Sequence, residues 1–169
     1  MNRRAVLFGG TAIAALGVAA FAMRGMTTSV AAEGRPPAEA GFDLTEAEWR
    51  AKLNENQFKV LREAATESPG SSPLLAEHRE GTFDCAGCAL PLFDSATKYE
   101  SGTGWPSFYQ PIDNAIATTV DYEIGVARTE VHCRRCGGHL GHVFEDGPKP
   151  TGLRYCMNGL ALTFTPKTA

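Results

Sequence analysis

The sequence has no excess of positive charge. Of its 169 residues, 16 are Lys or Arg and 19 are Asp or Glu, which gives a formal net charge of −3. Three of the basic residues and none of the acidic ones lie in the first 32 positions, so the rest of the chain carries 13 basic and 19 acidic side chains, a net charge of −6. A protein that binds nucleic acid needs a basic face. We therefore expect no nucleic-acid partner.

The sequence also lacks an even number of cysteines. Four of the five form two Cys-x-x-Cys pairs, Cys85/Cys88 and Cys133/Cys136, and Cys156 is left without a partner. We find no internal repeat beyond these two pairs. The pairs and the single cysteine therefore need separate explanations.

The composition favours one turn-rich, mainly β domain. Hydrophobic residues make up 43% of the chain, with 18 Gly and 10 Pro, which suits a modest core and many turns. Before the β region we predict two short helices, in "DLTEAEWRAKL" and "NQFKVLREAA", the first with a capping box between Thr45 and Glu48. Short β-type runs follow from Gly81 onward. The last, "LALTF", alternates from Leu160 as a half-buried strand does.

The first 32 residues are typical of an export signal. A basic start with Arg3-Arg4 precedes an Ala/Gly-rich apolar run, and small residues at Val30 and Ala32 fit cleavage after Ala32. The arginine pair is similar to a twin-arginine signal; an ordinary secretory signal and an uncleaved membrane anchor are the alternatives. We expect an exported, periplasmic protein with a linker over residues 33–42 and one domain over residues 43–166.

The two Cys-x-x-Cys pairs predict a four-cysteine zinc site. Both lie in turns with glycine nearby, and four thiolates match the tetrahedral preference of Zn²⁺ with no position left for water, so the metal would be structural. Redox-active dithiols are one alternative, but such a motif opens a helix, which Gly137-Gly138 disfavours after Cys136. Two structural disulfides are the other. A bridge inside a Cys-x-x-Cys turn closes only a tiny loop and adds little stability.

Cys156 is a candidate nucleophile. A lone cysteine is more often a small buried hydrophobe, but Arg154 and Asn158 lie two residues to either side, so an extended strand would place all three on one face. A nearby guanidinium favours the reactive thiolate.

Two further motifs supply candidate site residues. In "HLGHVFEDGP", His139 and His142 are candidates for acid–base work, with a structural role as the alternative. In "SGTGWPSF", the glycines and Pro106 hold Trp105 in an extended turn, where its indole makes a wall for a small apolar or sulfur-containing group. A core tryptophan is the alternative.

These motifs resemble the peptide methionine sulfoxide reductase B family. The likeness rests on "GTGWPSF", "HLGHVFEDGP", "RYCMNGLALTF" and the two cysteine pairs, in order and spacing, and covers roughly residues 43–165. It implies a β fold of two antiparallel sheets, zinc on the side away from the active site, and reduction of the R epimer of methionine sulfoxide. It implies oxidised proteins or peptides as substrates and a thioredoxin-like or other thiol as reductant. We expect a monomer.

The resemblance also implies roles for the candidate residues. Cys156 would attack the sulfoxide sulfur and become a sulfenic acid, Trp105 would pack against the substrate methyl group, and the two histidines would bind the sulfoxide oxygen. Many members have a second, resolving cysteine where this chain has Thr103. The sulfenic acid must then be reduced by an external thiol or by a zinc-site cysteine that leaves its metal, and we expect the external thiol. The alternatives are a zinc-stapled thiol-sensing or binding module that reduces nothing and a nucleic-acid zinc ribbon. The implied catalytic set is His139, His142, Arg154, Cys156 and Asn158.

Overall fold

A computed structural model describes residues 34–168. Two short helices precede two antiparallel sheets, which confirms the expected fold class. No helix in this range is long and apolar enough to cross a membrane. The export-signal prediction lies outside the described residues.

In chain order the elements are α1 (Glu46–Lys52), α2 (Glu55–Glu63), β1 (Gly81–Cys85), β2 (Pro91–Asp94), β3 (Lys98–Tyr99), β4 (Ser107–Phe108), β5 (Ile116–Asp121), β6 (Arg128–Cys133), β7 (His139–Phe144), β8 (Arg154–Met157) and β9 (Leu162–Pro166), with 3-10 turns at Pro73–Ala76, Ser95–Thr97 and Gly159–Ala161.

Both helices begin at a capping box. In α1 the side chain of Thr45 accepts from the Glu48 backbone N–H, and the Glu48 carboxylate accepts from the Thr45 backbone N–H, as predicted. Asn54 and Gln57 do the same for α2. Such reciprocal pairs satisfy backbone donors that a helix start leaves free. They fix where two helices of only seven and nine residues begin.

The two sheets enclose an aromatic core. The smaller sheet has the order β2-β1-β9 and the larger the order β3-β4-β8-β7-β6-β5. Phe93 from the smaller sheet stacks on Phe108 from the larger with ring centroids 4.3 Å apart, and Phe83 meets Phe108 edge-on at 4.9 Å. Strand β8 lies inside the larger sheet between β4 and β7, and its residues Tyr155 and Cys156 are paired on both sides.

The last strand begins later than its alternation predicts. Residues Gly159–Ala161 form a 3-10 turn, and β9 starts at Leu162 rather than at Leu160. The cause is a distant side chain, because the carboxylate of Glu67 accepts hydrogen bonds from the backbone N–H groups of Gly159 and Leu160. These two backbone N–H groups therefore do not form hydrogen bonds within a β-sheet. The predicted start of β9 is two residues too early because of this long-range contact, which no local pattern reveals.

The predicted linker residues lie against the second Cys-x-x-Cys turn. The Glu39 backbone N–H donates to the Arg135 carbonyl at 2.8 Å, and the Arg135 guanidinium lies 5.6 Å from the centre of the Phe42 ring. Phe42 is partly buried against the core. The described part of this segment is therefore packed on the domain.

Candidate active site

The candidate nucleophile occupies the middle of the larger sheet. Cys156 lies on β8 and is half-buried, with Ser107 of β4 directly opposite on one side and His142 of β7 directly opposite on the other. Paired residues of antiparallel strands project from the same face of a sheet. The pairing therefore places a hydroxyl and an imidazole beside the thiol.

A β-bulge brings the second histidine to this region. Residues three apart on a regular strand face opposite sides of the sheet, yet the rings of His139 and His142 lie 5.5 Å apart. On β6, Val131 and His132 are adjacent, but their partners on β7 are Gly141 and His139, so Leu140 is an extra residue. The insertion restores His139 to the face of His142.

A carboxylate orients His142. Asp121 is the last residue of β5, and its Oδ2 accepts from His142 Nε2 at 2.8 Å and also pairs with Arg128. Burial lowers the pKa of His142, with the hydrogen bond to Asp121 opposing it. The ring is therefore held neutral near neutral pH, with its proton on Nε2 and Nδ1 free to accept one.

His139 is held by a second carboxylate. Its Nδ1 donates to Glu130 Oε1 at 2.6 Å, and the ring is 2% exposed. Burial tends to raise the pKa of Glu130, but hydrogen bonds from His132 and His139 hold that pKa well below its ordinary value. With the proton on Nδ1, His139 Nε2 is the accepting nitrogen, and it has no protein partner within residues 34–168.

Arg154 is committed to an ion pair. Its guanidinium donates two 2.8 Å hydrogen bonds to the Asp146 carboxylate and lies 4.4 Å from the centre of the Phe144 ring. The expected effect of this cation on the thiol is present but is not dominant. Burial raises the pKa of Cys156, while the hydrogen bond with Thr103 and the charge of Arg154 lower it. The resting side chain is therefore a thiol.

Trp105 is partly exposed and pinned by its indole N–H. Nε1 donates to the Glu67 carbonyl at 3.1 Å, and the Gly70 N–H donates to the Gly104 carbonyl at 2.7 Å. A side chain at Gly104 would lie 2.8 Å from Pro69, so only glycine fits this close approach. The two loops therefore hold each other, and the ring stays partly exposed.

Asn158 is buried just beyond the end of the nucleophile strand. Strand β8 ends at Met157, and Asn158 is 4% exposed. Its amide accepts from the Glu67 backbone N–H at 3.0 Å and donates to the Leu140 carbonyl at 3.2 Å. The extended strand assumed for the common face thus ends one residue before Asn158, and the Asn158 side chain joins the Glu67 loop to β7.

Three hydroxyl groups complete the surroundings of the thiol. Thr103 Oγ1 lies 3.8 Å from Cys156 Sγ. Ser101 Oγ lies 2.9 Å from Thr103 Oγ1 and 2.7 Å from Ser107 Oγ. Thr103 therefore places a hydroxyl beside the Cys156 thiol.

Sequence reasoning missed four acidic residues of this site. Glu67, Asp121 and Glu130 lie outside the quoted motifs and contact them only through the fold. Glu67 is 8% exposed; burial raises its pKa and the two backbone N–H groups oppose the rise. Asp146 lies inside "HLGHVFEDGP", eight residues before Arg154, and a search for a partner of that arginine would have found it. No local pattern marks the other three.

The paired cysteines meet in one buried cluster. The four sulfur atoms lie within 4.8 Å of one another, with Cys85 Sγ 3.6 Å from Cys136 Sγ and Cys88 Sγ 3.4 Å from Cys133 Sγ. Among the described cysteines none is joined in a disulfide, and no helix follows either pair. The two pairs therefore form one cluster that could hold a metal ion, and they are not two separate redox motifs.

Comparison with known proteins identifies the family. The SelR domain model matches residues 53–166. A protein named peptide methionine sulfoxide reductase MsrB from Pseudomonas putida (strain W619) is 54% identical over 127 residues, covering 75% of this chain and 96% of the relative. Relatives with the same name from Thiobacillus denitrificans (73% of this chain, 94% of the relative) and Leptospira interrogans (71% and 92%) are each 49% identical. The chain therefore belongs to the peptide methionine sulfoxide reductase B family.

Proposed function

We propose that this protein reduces the R epimer of methionine sulfoxide in peptides and proteins, with Cys156 as the nucleophile. Family membership supports the activity, and the half-buried thiol between Ser107 and His142 supports the choice of nucleophile. The specificity for one epimer follows from the family, since each sulfoxide epimer has its own enzyme.

The chemistry is an oxygen transfer to sulfur. The Cys156 sulfur attacks the sulfoxide sulfur and forms a transient S–S bond. The protonated oxygen then passes from the substrate sulfur to the Cys156 sulfur, so the substrate S–O bond and the transient S–S bond both break and the new S–O bond leaves Cys156 as a sulfenic acid. The substrate leaves as methionine, so one thiol and one sulfoxide give one thioether and one sulfenic acid. Two equivalents of an external thiol then give a disulfide and water.

The proton for the departing oxygen comes from the Cys156 thiol by way of His142. Burial keeps the resting cysteine protonated and the imidazole neutral. His142 Nδ1 is free to accept because Nε2 is held by Asp121. The imidazolium then donates to the sulfoxide oxygen while Asp121 stabilises its charge. His139, whose Nε2 is also an acceptor, orients water or the protonated oxygen.

Trp105 provides the seat for the methyl group. Its indole is fixed at Nε1 by the Glu67 carbonyl, so the ring does not turn when substrate binds. Rigid aromatic faces favour sulfur and methyl contacts. Arg154 and Asn158 act on the backbone and charge around the thiol and do not react themselves.

An external thiol reduces the sulfenic acid. The cysteines of the buried cluster are too distant, since Cys133 lies three residues along β6 from Glu130, and Glu130 is two strands from Cys156. Strand geometry puts their Cα atoms about 14 Å apart, well beyond the roughly 7 Å limit for a disulfide. With Thr103 in place of a resolving cysteine, no second thiol of the described chain is in reach.

Zn²⁺ fits the four-cysteine cluster. A tetrahedron with metal–sulfur bonds of 2.3 Å has edges of about 3.8 Å, close to the cross-pair distances of 3.4 and 3.6 Å. Cys85, Cys88, Cys133 and Cys136 would hold the ion as thiolates. A closed four-thiolate shell supplies structural stability and no catalytic position. The cluster joins the end of β1 to the end of β6.

The experiment that tests the function is turnover of racemic peptide methionine sulfoxide with dithiothreitol. Chiral separation of the remaining substrate should leave the S epimer alone, and Cys156→Ser should abolish turnover while its circular dichroism spectrum stays unchanged. One turnover without reductant should leave a sulfenic acid on Cys156 that dimedone traps. Consumption of both epimers, or full activity of Cys156→Ser, would refute the proposal.

The absence of a resolving cysteine has its own test. Thr103→Cys places a thiol where Oγ1 now lies 3.8 Å from Cys156 Sγ, so one turnover should leave a 103–156 disulfide in mass spectrometry. In the unmodified chain, monothiol donors should sustain turnover. A bridge between Cys156 and any cysteine of the buried cluster would contradict the external-thiol step.

We also propose that the protein works outside the cytoplasm. The support is the basic start, apolar run and small residues of the first 32 positions. Cell fractionation of the full chain should find the activity in the periplasm. If the twin-arginine pathway is used, replacement of Arg3 and Arg4 by lysine should leave the protein in the cytoplasm. Export that persists after this replacement would point to an ordinary secretory signal.

A further inference from the structure

The hydroxyl groups beside Cys156 form a continuous chain. Cys156 Sγ, Thr103 Oγ1, Ser101 Oγ and Ser107 Oγ follow one another at 3.8, 2.9 and 2.7 Å. At its far end Ser107 Oγ lies 3.2 Å from the Trp105 carbonyl oxygen, an acceptor only. The Thr103 backbone N–H also donates to Ser101 Oγ at 3.4 Å. Every hydroxyl in the chain has one proton, so the direction of one bond fixes the direction of the next.

With Cys156 as a thiol, the bonds run away from the sulfur. Ser107 donates to the Trp105 carbonyl, which leaves its oxygen to accept from Ser101, and Ser101 in turn accepts from Thr103. Thr103 then offers only lone pairs to the sulfur, and the thiol S–H donates to it. All four donors are satisfied in this arrangement.

With Cys156 as a thiolate, the bonds must run the other way. A thiolate only accepts, so Thr103 turns its proton to the sulfur and then needs a donor, which Ser101 supplies. Because Ser101 and Ser107 are 2.7 Å apart, one of them must donate to the other, and Ser107 turns from the Trp105 carbonyl to Ser101. The hydroxyl hydrogens rotate, and no hydroxyl loses its proton.

We propose that Ser101, Thr103 and Ser107 are a reversible hydroxyl relay that positions a donor on the Cys156 thiolate when the nucleophile ionises. The residue that replaces the resolving cysteine therefore has a function of its own in this chain. Ser101 does not touch the sulfur and acts through Thr103, so it is a positioning residue. The proposal rests on Cys156 being the nucleophile of the proposed function.

Other polar groups around the thiol lower its pKa less than the Thr103 hydroxyl does. Arg154 of the same strand is paired with Asp146, and His142 of the neighbouring strand is held neutral by burial. Tyr99 of β3 is the remaining titratable neighbour, and burial raises its pKa, so it stays neutral. The hydrogen bond with Thr103 is the largest of the effects that lower the pKa of Cys156 against burial, ahead of the charge of Arg154 and of the hydrogen bonds from Arg154 and Ser107, which agrees with Thr103 as the main donor to the sulfur.

The test is the alkylation rate of Cys156 by iodoacetamide in the metal-loaded full chain, followed by mass spectrometry of the peptide that carries it. The rate at a fixed pH below its midpoint measures the thiolate fraction. Thr103→Val keeps the shape and removes the donor, so the rate should fall about tenfold. Ser101→Ala should slow it by roughly threefold, because the donor that supports Thr103 is lost.

Three controls separate the relay from simpler explanations. Thr103→Ser keeps the hydroxyl and should alkylate within about twofold of the unmodified rate, at the precision of such comparisons. Thr163→Val makes the same replacement at an exposed position of β9 and should change nothing. The double variant Ser101→Ala/Thr103→Val should equal Thr103→Val alone, since Ser101 acts only through Thr103.

Two outcomes would overturn the proposal. If Ser101→Ala alkylates at the unmodified rate, or if the two changes add independently, Thr103 and Ser101 are not linked. If Thr103→Val alkylates normally while its circular dichroism spectrum shows a folded protein, no donor is lost. Alkylation needs no turnover, so failure of the relay and failure of the proposed reductase activity give different results.

Discussion

Replacement of Glu67 by glutamine should destabilise the fold and loosen the wall of the site. The carboxylate accepts from the Gly159 N–H with one oxygen and from the Leu160 N–H with the other, at 3.3 Å for the second. A glutamine amide keeps one oxygen and presents an NH₂ group in place of the other. One backbone N–H then faces a donor and loses its acceptor.

The magnitude follows from the burial of this contact. Glu67 is 8% exposed, so water does not replace the lost acceptor. A hydrogen bond to a charged group contributes about 1.5–3 kcal/mol, and a buried donor left without an acceptor costs a similar amount. We expect Glu67→Gln to lower the free energy of unfolding by about 2 kcal/mol. The change should also raise KM more than it lowers kcat, because the Glu67 carbonyl fixes the Trp105 indole.

Urea denaturation measures the first effect, with Glu80→Gln as the matched control. Glu80 pairs with Lys167 at 3.3 Å, but its side chain is 82% exposed, and such exposed pairs contribute at most about 1 kcal/mol. The slope against urea should be the same in all three proteins if only stability changes. Equal midpoints for Glu67→Gln and Glu80→Gln would refute the reasoning that the buried carboxylate holds the 3-10 turn.

Three further predictions concern the bulge, the histidine and the metal. A Cβ at Gly141 would lie 2.1 Å from the Cys156 carbonyl oxygen, so Gly141→Ala should lower the melting temperature by about 10 °C; calorimetry that finds less than about 2 °C would contradict this contact. Burial lowers the pKa of His142 below its unfolded value, so this ring contributes stability above about pH 6.5 that is lost as the pH falls. His142→Gln should therefore lose less stability than the unmodified protein between about pH 7 and pH 5 in urea titrations, and an equal loss would count against a buried neutral ring. Metal analysis should find about one zinc per chain, and Cys88→Ser should abolish binding and lower thermal stability; a metal-free protein of undiminished stability would rule the site out.

Local signals in the sequence predicted most of the framework. The capping box at Thr45 lies within four residues, and each Cys-x-x-Cys pair is a turn of its own, so both could be identified without the fold. The clustering of the two pairs could be predicted because a tetrahedral metal site needs four ligands and each pair supplies two. The start of β9 was misjudged because alternation is a local pattern, whereas Glu67, 93 residues from Leu160, decides where that strand begins.

The supporting carboxylates could not be predicted for a related reason. Asp121 reaches His142 because β5, β6 and β7 are neighbours in the sheet, and Glu130 reaches His139 across the β6–β7 pair. Those contacts depend on strand order and register. A sequence pattern of period two gives the face of a residue but does not identify its cross-strand neighbour.

The bulge in β7 shows why register matters for the chemistry as well. Without Leu140 as an extra residue, His139 and His142 would lie on opposite faces, and only one of them would be near Cys156. The bulge depends on Gly141, because any side chain there would meet the Cys156 carbonyl oxygen. One glycine thus sets both the close approach of β7 to the nucleophile strand and the number of imidazoles on that face. A chain with the same histidines and a regular strand would keep His142 beside the thiol but would place His139 Nε2 on the other face of the sheet. The spacing of three residues therefore brings both imidazoles to the thiol only when the bulge is present.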